Sequence, residues 1–181
     1  MDTSRRGFLQ VAGTALAAGL SCRLGPALAS VADAQCRSLA FHHLHTGEKL
    51  KVDYCVGGHY VDDALHAVNN VLRDFRTGEV YPIEPRLLDL LNLVGGTLET
   101  NAPFEVISGY RSPQTNAALR EESSGVAKNS LHMKGMAIDI RVPGRTLQSL
   151  HATALALRVG GVGYYPRSDF VHVNVGRVRS W

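Results

Sequence analysis

Two short segments in the second half of the chain place metal-binding residue types at a characteristic spacing. The segment SLHMKGMAIDIRV, residues 130–142, carries His132 and Asp139 seven positions apart. The segment FVHVNVG, further along the chain, carries His172. Two imidazoles and one carboxylate are the three protein ligands of many catalytic zinc sites, in which water takes the fourth position. The sequence therefore predicts a zinc hydrolase whose fold brings these two segments together.

The composition indicates one globular domain. The chain has 181 residues, of which 45% are hydrophobic and 19% are charged, and this length is enough to bury a core. The formal net charge is +3, and the Lys and Arg residues are scattered instead of forming one basic stripe with interleaved aromatic residues. We therefore expect no nucleic-acid partner.

The first 29 residues have the features of an export signal. The motif SRRGFL at residues 4–9 contains an arginine pair, an apolar run rich in Ala and Gly follows, and ALA at residues 27–29 offers a small-residue cleavage site. We predict a signal peptide over residues 1–29, recognised by the twin-arginine export machinery, and a periplasmic or otherwise exported domain over residues 30–181. The apolar run is too short to predict a permanent transmembrane anchor.

Three cysteines leave two questions open. Cys22 lies in the predicted signal, and its lipid modification is an alternative to cleavage, although the preceding GLS is a poor match to a lipoprotein site. Cys36 and Cys55 lie in the predicted domain. An oxidising compartment permits them to pair, but the sequence does not place their Cα atoms within the distance that a disulfide requires.

From residue 37 the chain alternates short strands with amphipathic helices. We predict a hairpin over residues 39–54, a helix over residues 61–75 from its three-four apolar spacing, and a second helix that starts at Pro85 and ends or weakens at Gly95-Gly96. The histidines of the first hairpin arm have no carboxylate at a metal-site spacing, so we expect them to be solvated or to line a groove. These histidines are His42, His43 and His45.

A predicted strand over residues 104–107 leads into SGYRSP, which places Arg111 in a loop at the strand end. A guanidinium near a metal can bind a substrate carboxylate through two hydrogen bonds or stabilise a tetrahedral intermediate. For Arg111 considered alone, a surface ion pair is the simpler interpretation. A short helix is predicted over residues 116–120, and the polar loop at residues 121–129 could border a groove.

Four segments carry a resemblance to a known family: SGYRSPQTNAALR, SLHMKGMAIDIRV, GGVGYYPRSDFVHVNVG and RVRSW. They resemble the YcbK-like murein endopeptidases, which belong with the D-alanyl-D-alanine carboxypeptidases and the hedgehog-type zinc fold. The resemblance extends in a single order from HTGEKL through YVDDALHAVNNVLRDFRTGEV to Trp181. It implies an α+β fold with a small, mainly antiparallel sheet and helices packed on one side.

The resemblance also implies roles for individual residues. It assigns His132, Asp139 and His172 as ligands of a zinc ion. Arg111 matches the family arginine that positions or stabilises the scissile region of the substrate. Ser130 matches a position that can bind polar groups of the peptide.

Two positions near His172 bear on proton transfer. The related carboxypeptidases have an acidic residue three positions before the last histidine, which predicts Asp169 as the general base. Residues three apart on a regular strand point to opposite faces, so Asp169 must lie in the turn before the strand. The YcbK-like pattern usually has Asp two positions after the histidine, where this chain has Asn174. An amide can orient water or substrate by hydrogen bonding, but it cannot act as a base.

These features together predict an exported zinc metallopeptidase that hydrolyses peptide cross-links of bacterial peptidoglycan. One alternative is a D,D-carboxypeptidase that trims stem peptides. Another is a noncatalytic zinc-containing domain that binds peptidoglycan, and the amide of Asn174 favours this second alternative. The spacing of the ligands alone supports only hydrolysis or zinc binding, so the substrate follows from the resemblance.

Overall fold

The computed structural model describes residues 36–123 and 125–181. The predicted signal peptide and Cys22 lie outside these residues. Within the described part of the chain, no helix combines the length and the apolar composition needed to cross a membrane.

The described chain forms one sheet of eight strands with four α-helices and a short 3-10 helix. The strand order is β3-β2-β1-β4-β5-β7-β6-β8, and neighbouring strands are antiparallel except for the pairs β1–β4 and β6–β8. The α+β fold with a mainly antiparallel sheet is therefore confirmed. The strands are β1 Cys36–His43, β2 Lys49–Val56, β3 His59–Tyr60, β4 Phe104–Ser108, β5 Ala137–Arg141, β6 Gly161–Tyr165, β7 Phe170–Asn174 and β8 Arg179–Ser180. The helices are α1 Asp62–Val71, α2 Pro85–Thr97, α3 Pro113–Glu122, the 3-10 helix Leu131–Lys134 and α4 Leu147–Leu157.

The two faces of the sheet have different chemistry. Successive side chains of a strand point to opposite faces. In β5, Ile138 and Ile140 are fully buried on the apolar face, where α2 and α4 pack, while Asp139 points to the other face. In β7, Val171 and Val173 likewise join the core, and His172 lies on the same face as Asp139. The apolar face carries the core, which leaves the opposite face for the polar site.

The predicted elements are present, with shifted ends. Helix α1 ends at Val71, before the predicted end at residue 75, because the following chain turns so that Asp74 is buried. Helix α2 continues through Gly95-Gly96 to Thr97. Helix α3 is longer than predicted, since Ser112 caps its first turn by accepting the backbone N–H of Thr115 at 3.1 Å.

The two described cysteines are free. Across the β1–β2 hairpin, Cys36 pairs with Val56 and the adjacent Arg37 pairs with Cys55. Arg37 donates a hydrogen bond to the Cys55 sulfur, so these two side chains share a face, and Cys36 points to the opposite face. The fold therefore keeps the two thiols apart.

One of the three histidines of β1 and the following turn has a structural role. His43 is completely buried, and its Nδ1 accepts the backbone N–H groups of His45 and Thr46 at 3.3 and 3.4 Å. Burial lowers the pKa of His43 to about 4, so this imidazole is neutral near pH 7. His45 is exposed and stacks on Phe75. The prediction of a solvated or groove-lining position is wrong for His43.

Candidate functional site

Three side chains from separate elements form a tight triangle on the polar face of the sheet. His132 lies in the 3-10 helix, and Asp139 and His172 face each other directly in the β5–β7 pair. The His132 Nε2 to His172 Nδ1 distance is 3.1 Å, and Asp139 Oδ1 lies 2.8 Å from His172 Nδ1 and 3.2 Å from His132 Nε2. The structure therefore brings together all three predicted metal ligands.

This triangle fits a divalent metal ion. Zinc bonds of about 2.0–2.1 Å at tetrahedral angles place ligand atoms about 3.3 Å apart, close to the three observed distances. The three residues also line a cleft with a volume of about 490 Å³, which gives a substrate access to them. Two imidazoles and one carboxylate with an open side are the donor set of a catalytic zinc site.

Local structure fixes the orientation of His132. Ser130, which is 8% exposed and lines the cleft, caps the 3-10 helix by accepting the His132 backbone N–H at 3.3 Å. His132 Nδ1 donates to the Gly109 carbonyl at 2.7 Å, so its Nε2 lone pair faces the triangle. Gly135 ends the turn at φ 63°, and a Cβ there would lie 2.2 Å from the Pro82 carbonyl oxygen. Glycine is therefore required where the chain turns into β5.

The charges of the triangle suit a metal site. Burial raises the pKa of the Asp139 carboxyl, but the adjacent His132 and His172 outweigh this and hold the pKa below its usual value. Burial lowers the pKa of His172. Near neutral pH the site therefore combines an ionised carboxylate with a neutral His172 imidazole, which are the protonation states that metal binding requires.

Arg111 lies inside the cleft, not on the open surface. Its side chain is 11% exposed, and Nη2 lies 3.6 Å from Asp139 Oδ2 and 3.4 Å from Ser108 Oγ. Its backbone N–H donates to the His132 carbonyl at 3.2 Å, and its buried Nε has no protein acceptor among the described residues. Burial lowers the pKa of Arg111, while Asp139 opposes this shift. The guanidinium therefore has donor capacity left for a bound ligand.

Asn174 is buried beside His172, as expected from their shared strand face. Its Oδ1 accepts the backbone N–H groups of Gly161 and Gly176 at 3.1 and 2.9 Å. Its Nδ2 donates to His172 Nε2 at 3.0 Å. The amide therefore contacts the imidazole nitrogen that faces away from the triangle.

Asp169 lies in the turn before β7, as predicted, but the structure does not bring it to the triangle. Its carboxylate forms an ion pair with Arg141 and is 64% exposed. Its neighbours Ser168 and Phe170 line the cleft, whereas Asp169 does not. Its assignment as the general base stays a prediction.

Three aromatic residues, Tyr165, Phe170 and Trp181, form a wall of the cleft that was not predicted from the sequence. The Trp181 indole centroid lies 5.3 Å from that of His172, and its Nε1 donates to Tyr165 Oη at 2.7 Å. The indole lies against Gly163, where a Cβ would meet it at 2.8 Å, and the Arg179 guanidinium lies 4.6 Å from its centroid. Strand alternation could have placed Phe170 beside His172. Trp181 carries no comparable local signal.

The chain is similar over nearly its whole length to proteins named for one activity. A sequence model of the family described as peptidoglycan L,D-endopeptidase MepK matches residues 31–181. The peptidoglycan L,D-endopeptidase MepK of Escherichia coli K12 is 42% identical over 180 residues, covering 99% of this chain and 98% of that protein. The probable peptidoglycan L,D-endopeptidase MepK of Haemophilus influenzae Rd is 41% identical over 182 residues, covering 100% and 97%. With its His132-Asp139-His172 triangle and this full-length similarity, the chain belongs to the peptidoglycan L,D-endopeptidase MepK family.

Proposed function

We propose that this protein is a zinc-dependent endopeptidase that hydrolyses peptide cross-links of peptidoglycan. The observation that carries the proposal is the triangle of His132, Asp139 and His172, which opens into a cleft beside the buried Arg111. The relatives named as peptidoglycan L,D-endopeptidases support this substrate and favour an L,D cross-link.

The charge of the cleft agrees with this substrate. Arg111 and Arg179 both line it, and Asp139 is the only acidic side chain among its described lining residues. If Asp139 is neutralised as a metal ligand, the cleft presents two guanidinium groups. Peptidoglycan stem peptides carry free carboxylates, which guanidinium groups bind through paired hydrogen bonds.

A zinc ion in this site would polarise the scissile carbonyl and lower the pKa of a coordinated water to about 7. Arg111 would bind the carbonyl oxygen as negative charge develops on it, because its donors lie beside Asp139 in a buried position. Ser130 borders the same cleft, where it can bind polar groups of the peptide. Asn174 acts through His172, which it contacts directly.

Asp169 is the proposed acceptor of the proton released when water attacks the peptide. Its carboxylate must first leave Arg141 and rotate toward the cleft that Ser168 and Phe170 line. An exposed ion pair of this kind contributes about 0–1 kcal/mol, so its release costs little. Catalytic side chains often reach their working position only in the substrate complex.

The proposed site of action is the periplasm. Peptidoglycan lies outside the cytoplasmic membrane, so a hydrolase of its cross-links must be exported. The twin-arginine motif of residues 4–9 supports export through the twin-arginine machinery, followed by cleavage after residue 29.

The test uses purified protein and cross-linked muropeptide dimers of defined L,D or D,D linkage. We expect conversion of L,D-linked dimers to monomers, loss of this activity with a chelator, and recovery when zinc is added. Dimers that stay intact under metal-replete conditions would contradict the proposed peptidase activity. Release of D-alanine from uncross-linked stems would favour the D,D-carboxypeptidase, and binding without turnover would favour the noncatalytic domain.

A further inference from the structure

The backbone fixes which way the Asn174 amide points. Its Oδ1 accepts two N–H groups, from Gly161 and Gly176, at 3.1 and 2.9 Å. The reversed amide would place the Nδ2 donors against both of these donors. The amide fits because residue 161 is glycine. The Cβ of any other residue at this position would lie 2.7 Å from Asn174 Nδ2. Nδ2 must therefore face His172.

This orientation selects one tautomer of His172. Because Asn174 Nδ2 donates to His172 Nε2 at 3.0 Å, Nε2 is an acceptor and the ring hydrogen lies on Nδ1. That hydrogen is directed to Asp139 Oδ1 at 2.8 Å. Without a metal ion, both ring nitrogens of His172 have a partner.

Metal binding requires the other tautomer. The triangle uses His172 Nδ1, so a neutral ring holding a metal must carry its hydrogen on Nε2. That hydrogen would point at the Asn174 N–H, and two donors would face each other with no acceptor between them. Rotation of the amide by 180° would remove this clash, but it would place the Asn174 Nδ2 donors against the N–H groups of Gly161 and Gly176. An unsatisfied buried donor is costly in either arrangement.

We propose that Asn174 is a positioning residue that weakens metal binding by holding His172 in its metal-free tautomer. A carboxylate at this position would accept all three N–H groups and orient His172 toward the metal. The wild-type site therefore binds zinc less tightly than the same site with an aspartate at residue 174. The inference rests on the zinc site of the proposed function, and it concerns how tightly that site binds zinc.

The first test compares zinc dissociation constants of the wild type and Asn174→Asp by competition with a chromogenic chelator. We expect the variant to bind zinc about 10–100-fold more tightly, the usual effect of a partner that orients a ligating histidine. Asn69→Asp is the matched control. Asn69 lies in α1 outside the cleft lining, and its Oδ1 accepts the Ile83 N–H, which a carboxylate also accepts. This control should bind zinc like the wild type.

Equal affinity of the wild type and Asn174→Asp would overturn the inference while leaving the zinc peptidase intact. Equal tightening by Asn69→Asp would also overturn it, because the effect would then be one of overall charge. Absence of zinc binding in both proteins would overturn it together with the metal site itself. Thermal unfolding in chelator establishes that each variant is folded.

A second measurement does not depend on a variant. Heteronuclear NMR of the imidazole nitrogens in the metal-free wild type should show His172 with its hydrogen on Nδ1. A hydrogen on Nε2 would contradict the proposed role of Asn174.

Discussion

Asp74 accepts the backbone N–H of Ser112 at 2.8 Å and thereby ties the chain after α1 to the loop that carries Arg111. The same carboxylate accepts the Arg76 N–H at 3.0 Å, and the residue is 1% exposed. Nearby, Tyr110 N–H donates to the Leu72 carbonyl at 2.7 Å. The segment after α1 therefore sets the position of the loop that holds Arg111.

Asp74→Asn should destabilise the fold, because one of the two N–H groups that Asp74 accepts, from Ser112 and Arg76, will face an amide donor instead of an oxygen. We expect the free energy of unfolding to fall by about 1–3 kcal/mol, measured by urea denaturation. Asp53→Asn is the control, since Asp53 is exposed and pairs only with the Ser38 hydroxyl among the described side chains. A loss no larger than that of the control would show that Asp74 does not anchor the loop.

The contribution of Asp74 should depend on pH in a defined window. Burial raises its pKa, but hydrogen bonds from Thr115, Ser112 and Arg76 outweigh burial and lower the pKa to about 2. The unfolded value is about 4, so the folded state favours the ionised carboxylate. The stabilisation is therefore complete above about pH 4 and is lost as the pH falls toward about 2. The stability difference between the wild type and Asp74→Asn should shrink across this window, and a constant difference would contradict the assignment.

Arg111→Lys should impair catalysis while leaving the metal site occupied. Lysine keeps the positive charge but loses the planar fork that binds an oxyanion or carboxylate through two hydrogen bonds. We expect kcat/KM on muropeptide dimers to fall about 10–100-fold, as for the loss of a hydrogen bond to a charged group. Zinc content is measured in parallel. Arg86→Lys, an exposed residue paired with Glu84, provides the control and should retain wild-type kinetics.

Asp169→Asn tests the general base. We expect kcat to fall about 10²–10⁴-fold with zinc affinity unchanged, since general base catalysis contributes this range. Arg141→Gln is the companion variant, because it removes the ion-pair partner but keeps the Asp169 carboxylate. It should retain most of the activity. Wild-type kcat in Asp169→Asn would eliminate this residue as the base and leave it as the partner of Arg141.

Local patterns in the sequence were enough to predict the three residues of the triangle and the main elements. The alternation in AIDIR places Asp139 opposite the two isoleucines of its strand, and FVHVN does the same for His172. This works because the side-chain period of a strand is a local property of the backbone. The end of α1 was less predictable, because Asp74, in the turn that follows it, is held by a hydrogen bond from Ser112, far along the sequence.

The sequence by itself determined which residue types are available to bind a metal and which strand face Asp139 and His172 occupy. Only the tertiary structure decided that Asp139 faces His172, that Arg111 is buried beside them, and that Trp181 forms a wall of the cleft. It also decided that Asp169 contacts Arg141 and that the Asn174 oxygen is taken by two backbone N–H groups. These contacts depend on strand register and on segments far apart in the chain. A local pattern shows the direction of a side chain, but the packed fold decides what that side chain meets.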